Sequence, residues 1–277
     1  MSRVTNLTAP AGDKSYLGSA TLEEALSAAI AAEQAGQEHG AAGKVLKNAI
    51  VHLRRQTMRD VIRGDRIAAR LSKGVDEMVM ALFRHSRESI GADIAICAAG
   101  GFGRSELAPY SDVDLLFLHR PKVEGQLRDA LNGILYPLWD SGMKIGYAVH
   151  TPDSAVKFAK SDIIARTAYL DTRFISGEKK IFEDFAAGFD KLRKKTIPEF
   201  VAAKLKEQDE RQSALFETRF LVEPDVKEAK GGLRDLQTLR WLYKYAYGDD
   251  IGKSKAINRV LDATERQALA KCERFLW

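Results

Sequence analysis

Asp112 and Asp114 stand two residues apart at the head of an apolar run, Val113 to His119. In a strand, side chains alternate faces with period two. The two carboxylates then point one way, while Val113 and Leu115 point into a core. Adjacent carboxylates repel each other unless a cation lies between them. A hard divalent cation such as Mg²⁺ takes one or two carboxylates together with substrate phosphates. An ion held this way bridges a triphosphate and offsets the charge that develops during in-line attack on phosphorus. Asp112 and Asp114 are therefore the candidate metal ligands, for Mg²⁺ or Mn²⁺, and the candidate catalytic pair.

Gly100-Gly101 precedes them in the chain. Lacking Cβ atoms, these residues let backbone N–H groups approach phosphate closely. Gly103 permits a further tight turn. Arg104 is placed to balance phosphate charge, and Ser111 to donate to a phosphate oxygen. Taken singly these signals are weak. A lone Asp-x-Asp is more often a solvated turn, a lone Gly-Gly is usually only a turn, and Arg104 with Glu106 alone reads as a surface pair. The order carries the signal: apolar strand, Gly-Gly, Ser-Asp-x-Asp, apolar strand. That order points to nucleotidyl transfer.

Three strands must position these residues. Ile94 to Ala98 is short, apolar and bounded by glycines, so it reads as a buried strand. Val113 to His119 is the second strand and Lys144 to His150 the third, with a helix expected over Gln126 to Trp139. Ahead of them, Thr21 and Glu24 have capping-box spacing and open an Ala-rich helix to about residue 38. Helical periodicity then runs over 44–89, with breaks expected near Gly64 and Gly74. After Thr151-Pro152 the signals are helical, over 153–176, 178–190, 198–220, 233–247 and 256–277. The expected organisation is a flexible tail over 1–20, a helical N-terminal segment over 21–90, a nucleotidyltransferase core over 91–190 and a helical domain over 191–277. The last apolar helical pattern reaches Phe275-Leu276-Trp277 with no cap or breaker, as expected of a helix inside a longer protein.

The Gly-Gly to Asp-x-Asp arrangement resembles the DNA polymerase beta-type nucleotidyltransferase superfamily. The fuller string GGFGRSELAPYSDVDLLFL is similar to the bacterial PII uridylyltransferase/uridylyl-removing enzymes. Lys144 to Thr151 resembles that family's third-strand region, Leu170 to Gly177 its Asp-x-Arg segment, and Glu223 to Gln237 the linker after its catalytic domain. The resemblance implies an α/β (α+β) fold, with a small mixed sheet flanked by helices. It implies transfer of UMP from UTP to a tyrosine of the PII signal protein, with release of pyrophosphate. By resemblance Gly100 and Gly101 are nucleotide-loop residues, and Asp112 and Asp114 are metal ligands. The superfamily adds a third carboxylate on a neighbouring strand, but Lys144 to Thr151 contains none. Asp162, Asp171 and Glu106 are the candidates; Asp171 is preferred, against a helix-surface salt bridge with Arg173 or Arg166. Protein adenylylation remains an alternative, as does a regulatory module that binds nucleotide or PII without catalysis. The family also carries a histidine-aspartate hydrolase domain and two ACT domains. The five histidines here are scattered and none precedes an Asp, so uridylyl-removing hydrolysis is not expected of this chain.

One further segment has chemistry of its own. Gly231-Gly232 precedes a helix whose Leu233, Leu236, Leu239 and Leu242 share a face. A helix N-terminus suits an anion, and Lys227, Lys230 and Arg234 add charge beside it. This loop is expected to fold back near Asp112 and Asp114, with Lys227 and Arg234 as nucleotide-binding residues.

Composition narrows the function classes. Lys and Arg number 43 against 38 Asp and Glu, an excess too diffuse for a nucleic-acid groove. With no concentrated basic and aromatic surface, RNA tailing is not expected. Cys97 and Cys272 alone make neither a disulfide framework nor a four-cysteine zinc site. No signal peptide or membrane span is evident, which points to a cytoplasmic protein. Trp139 and Trp241 fit apolar helical faces and are expected in the core. Lys191 to Lys195 reads as a solvated basic helix end.

Overall fold

Thr21 accepts a hydrogen bond from the Glu24 backbone at 3.3 Å, and Glu24 accepts one from Thr21 N–H at 2.8 Å. This reciprocal cap opens α1 (Leu22–Gln34). The computed structural model describes residues 21–59, 63–90, 93–123, 127–216, 225–249, 251, 257, 258 and 260–277. The tail over 1–20, Gly91 and Glu223-Pro224 lie outside the described residues. The remaining elements are α2 (Ala41–Arg59), α3 (Gly64–Ile90), β1 (Ile94–Ala98), α4 (Gly100–Gly103), β2 (Val113–His119), α5 (Leu127–Asp140), β3 (Ile145–His150), α6 (Pro152–Ser161), α7 (Ile163–Leu170), β4 (Arg173–Gly177), α8 (Lys179–Lys195), α9 (Ile197–Phe216), α10 (Leu233–Tyr247) and α11 (Ala263–Leu276). The break expected at Gly74 does not occur. A Cβ there would collide with Leu53, so Gly74 lets α3 lie close against α2.

The four strands form one mixed sheet in the order β3-β2-β1-β4. β1 is antiparallel to both β2 and β4, and β2 is parallel to β3. A parallel neighbour needs a crossover, which α5 supplies. The sheet sorts its side chains by parity. Ile94, Ile96, Ala98, Val113, Leu115 and Phe117 join a core with α1, α2, α3 and α5. Ala95, Cys97, Leu116 and Leu118 face the other way, into a core with α6 to α10. Both flanking helical segments thus share cores with the sheet. This is the small mixed sheet with helical flanks expected of a nucleotidyltransferase core.

The helical signal read over 153–176 conceals three elements. Asp162 ends α6 and caps α7, accepting from Ile164 and Ala165 N–H at 2.8 and 2.9 Å. Beyond Leu170 the chain turns into β4, which pairs with β1 across a bulge between Ile96 and Cys97. The β-branched and aromatic residues of Arg173–Gly177 suit a strand. The periodicity of the preceding helix masks so short a run.

Candidate active site

Register places the acids. Asp114 lies directly across from Gly146 in the β2–β3 ladder, and its carbonyl accepts the Ala99 N–H at 2.9 Å. Asp112 and Asp114 have the parity of Leu116 and Leu118, opposite to buried Val113 and Leu115, as alternation requires. Both acids are exposed, while the rest of β2 is buried. No described side chain donates a hydrogen bond or ion pair to either carboxylate. Asp114 titrates above its ordinary value, pushed up first by desolvation and then by the Asp112 charge. The carboxylate reaches water, but enough protein crowds it to make its ionised form costly.

Gly146 is the member of this site that motif reasoning did not single out. A Cβ there would lie 2.7 Å from Asp114 Oδ1, so only glycine leaves the carboxylate its place. The signal was a strand glycine opposite the second Asp, visible only once the register is known.

The glycine turn sits at the end of β1. Gly100 has φ +54°, a left-handed conformation, and a Cβ there would meet Asp114 Oδ2 at 3.2 Å. The turn closes on itself through Gly103 N–H to Ala99 O at 2.9 Å and Arg104 N–H to Gly100 O at 3.1 Å. The N–H groups of Gly100, Gly101 and Phe102 have no backbone acceptor among the described residues, as at any helix start. The Ser111 hydroxyl is oriented by its own loop, where it accepts the Ala108 N–H at 3.0 Å and keeps its O–H to donate.

Asp171 has a different environment. Its side chain is 2% exposed, and it accepts from Arg104 at 2.8 Å, Trp241 Nε1 at 2.7 Å and Lys244 at 2.9 Å. It pairs with neither Arg173 nor Arg166. Arg173 instead grips Asp76 with two bonds of 2.8 and 3.0 Å, and Arg166 bonds Glu199 at 2.8 Å. Among the described residues, no three His, Cys, Asp or Glu side chains form a metal-holding group. Asp171, the preferred third carboxylate, has its charge met by Arg104, Trp241 and Lys244.

Arg104 is likewise committed. Besides Asp171 it bonds Glu106 at 2.6 Å and lies over the Trp241 ring, 5.5 Å from its centroid. The first turns of α10 reach the surroundings of Arg104, where Gln237 bonds Glu106 at 3.5 Å and the Arg234 guanidinium lies 5.4 Å from the Trp241 centroid. The charge of Arg234 is met locally. Arg234 is held by Glu228 at 2.9 Å and Gln237 at 2.9 Å, and exposed Lys227 lies 4.0 Å from Glu228. The helix start is closed as well. Gly231 N–H donates to Asp235 at 2.8 Å, Leu233 N–H to Val226 O at 2.9 Å and Arg234 N–H to Lys227 O at 2.8 Å. An outside anion finds those donors taken.

The tryptophans divide. Trp241 is buried, but Trp139, expected in the core, is 38% exposed and touches Tyr136 and Tyr147 at 5.9 Å each. In the basic run, Arg193 is buried rather than solvated and donates to the Tyr245 carbonyl at 2.6 Å.

Comparison with known proteins identifies the chain's relatives. A family model described as GlnD PII-uridylyltransferase matches residues 199–277. The chain is 36% identical over 264 residues to a bifunctional uridylyltransferase/uridylyl-removing enzyme of Bradyrhizobium sp., covering 90% of this chain and 28% of that protein. It is 39% identical over 272 residues to the enzyme so named in Phenylobacterium zucineum, covering 92% of this chain and 29% of that protein. The chain belongs to the PII-uridylyltransferase family. It spans under a third of the length of these relatives. The uridylyltransferase family model begins in α9, so the residues it matches include Trp241 and Lys244, two of the three donors to Asp171. No helix among the described residues is long and apolar enough to cross a membrane.

Proposed function

We infer that this chain transfers UMP from UTP to a tyrosine hydroxyl of the PII signal protein and releases pyrophosphate, in the cytoplasm. The observation that carries the reading is the pair Asp112 and Asp114. The two acids are exposed on one strand, lack any described cation partner, and lie against a glycine turn with free N–H groups. Acids left unpaired at mutual cost fit a cation as their missing partner. Asp112 and Asp114 would hold Mg²⁺ or Mn²⁺. The ion, when bound, supplies neutralisation of the triphosphate and of the leaving pyrophosphate. The chain's own part is to orient. Gly100 and Gly101 offer N–H groups to phosphate, and Gly146 keeps room for Asp114. Exclusion of nucleic acid as acceptor rests on the absence of a concentrated basic and aromatic surface.

The test is pyrophosphate release with UTP or ATP, with and without PII. Release with UTP that requires PII supports the reading. Release with ATP in place of UTP would assign the chain to protein adenylylation. No release with either nucleotide, despite tight UTP binding, would leave a binding module.

A further inference from the structure

Asp171 and Arg173 lie two residues apart yet grip opposite sides of one turn. Asp171 holds the Arg104 guanidinium at 2.8 Å, and its own carbonyl abuts Gly103, where any Cβ would collide with it. Arg173 donates to the Phe102 carbonyl at 3.3 Å and lies over the Phe102 ring, 5.5 Å from its centroid. Asp76 on α3 fixes Arg173 with two bonds, and Trp241 and Lys244 on α10 fix Asp171. The turn between them holds Ser105 at φ +60°, a conformation that costs a non-glycine residue about 1–2 kcal/mol. Such strain persists only where the surroundings over-determine it.

We propose that Asp171 and Arg173 are positioning residues that clamp the Gly100–Gly103 turn, so that α10, through Trp241 and Lys244, sets the geometry of the phosphate-binding N–H groups. The proposal deepens the nucleotide reading of that turn and rests on it for its functional consequence. Neither residue touches the reacting atoms. Asp171 acts through Arg104, and Arg173 through the Phe102 carbonyl. The helical segment after the sheet is then part of the active-site framework, and a movement of α10 is felt at the turn. The Trp241 indole suits this role. It lies 4.5 Å from Lys204, 5.4 Å from Arg234 and 5.5 Å from Arg104, so its N–H is held at one angle toward Asp171.

The experiment uses this chain and two readouts. Hydrogen exchange is measured in the free protein for Asp171→Asn, Lys244→Met and Trp241→Phe, the last losing the indole N–H donor while keeping an aromatic side chain. The amides of Gly103, Arg104, Ser105 and Glu106, all bonded within the turn, are expected to exchange about tenfold faster or more, while β1 amides keep their rates. Lys244→Arg is expected to restore protection. Wild-type exchange at the turn in these variants overturns the proposal, as does equal acceleration in β1, which marks a merely structural role. Should Asp171→Asn not fold, Trp241→Phe decides alone. UTP binding with Mg²⁺ is the second readout, expected to weaken about tenfold in the variants with loosened turns. A loosened turn in a wild-type chain that binds no UTP would sink the nucleotide reading and leave the clamp intact.

Discussion

The molecule treats its acids in two opposite ways. Asp112 and Asp114 are exposed and uncompensated, and desolvation and mutual repulsion raise the pKa of Asp114. Asp171, almost wholly buried, accepts from an arginine, a lysine and an indole N–H. Around it Glu106 bonds Arg104 and Arg240, Asp235 bonds Arg211, and Glu273 bonds Arg240. Residue type alone does not separate the two groups. What separates them is whether the fold provides the opposite charge. Where it does, the acid fastens helix to sheet. Where it does not, the charge is left for something that arrives.

The largest effect that could break this contrast is on chemistry. Asp112→Asn or Asp114→Asn should lower kcat/KM for UMP transfer about a thousandfold or more, since a lost metal ligand costs several kcal/mol of transition-state stabilisation. Thermal stability should hold or rise, because a repulsion is removed. Near-normal transfer in either variant contradicts the assignment. Asp171→Asn should act first on stability. Removing the negative charge that faces largely buried Arg104 and Lys244, and turning one accepting oxygen into an NH₂, should cost about 3 kcal/mol or more of stability, read from the denaturant midpoint. A fall under about 0.5 kcal/mol would mean that the network is no more than a surface pair.

Gly146→Ala sharpens the boundary between the two groups. The added methyl displaces only the Asp114 carboxylate, so stability should be unchanged while transfer falls about tenfold. Loss of stability without loss of activity would show that Gly146 serves the sheet rather than the acid. The smallest effect is at the cysteines. Burial raises the Cys97 thiol well above its ordinary range, whereas Cys272 is exposed. Thiol reagents should label Cys272 in the folded protein and reach Cys97 only after unfolding. Labelling of Cys97 under native conditions would contradict its place in the sheet.

These contrasts mark what local pattern carries. Strands β1, β2 and β3 and the shared face of Asp112 and Asp114 were readable because a period of two and flanking glycines are local signals. β4 was not, because a five-residue strand behind a helix has no periodicity of its own. The partners of Asp171 were out of reach for another reason. Arg104 precedes it by 67 positions and Lys244 follows it by 73, and no local pattern encodes such pairing. The Lys227 to Arg234 loop reads as an anion site because a helix N-terminus stands beside three cations. Only the structure assigns its N–H groups to Val226, Lys227 and Asp235.

Asp112 and Asp114 lack the opposite charge that Asp171 has, and on the proposed reading a divalent cation supplies it. Electron paramagnetic resonance of Mn²⁺ in the presence of UTP, with the protein titrated in, counts that cation directly. The expected result is saturable Mn²⁺ binding by the unmodified chain, lost in both Asp112→Asn and Asp114→Asn and still present, though about tenfold weaker, in Trp241→Phe, which loosens the Asp171 network and leaves both acids in place. Equal Mn²⁺ binding by the Asp112→Asn and Asp114→Asn variants and the unmodified chain would contradict it.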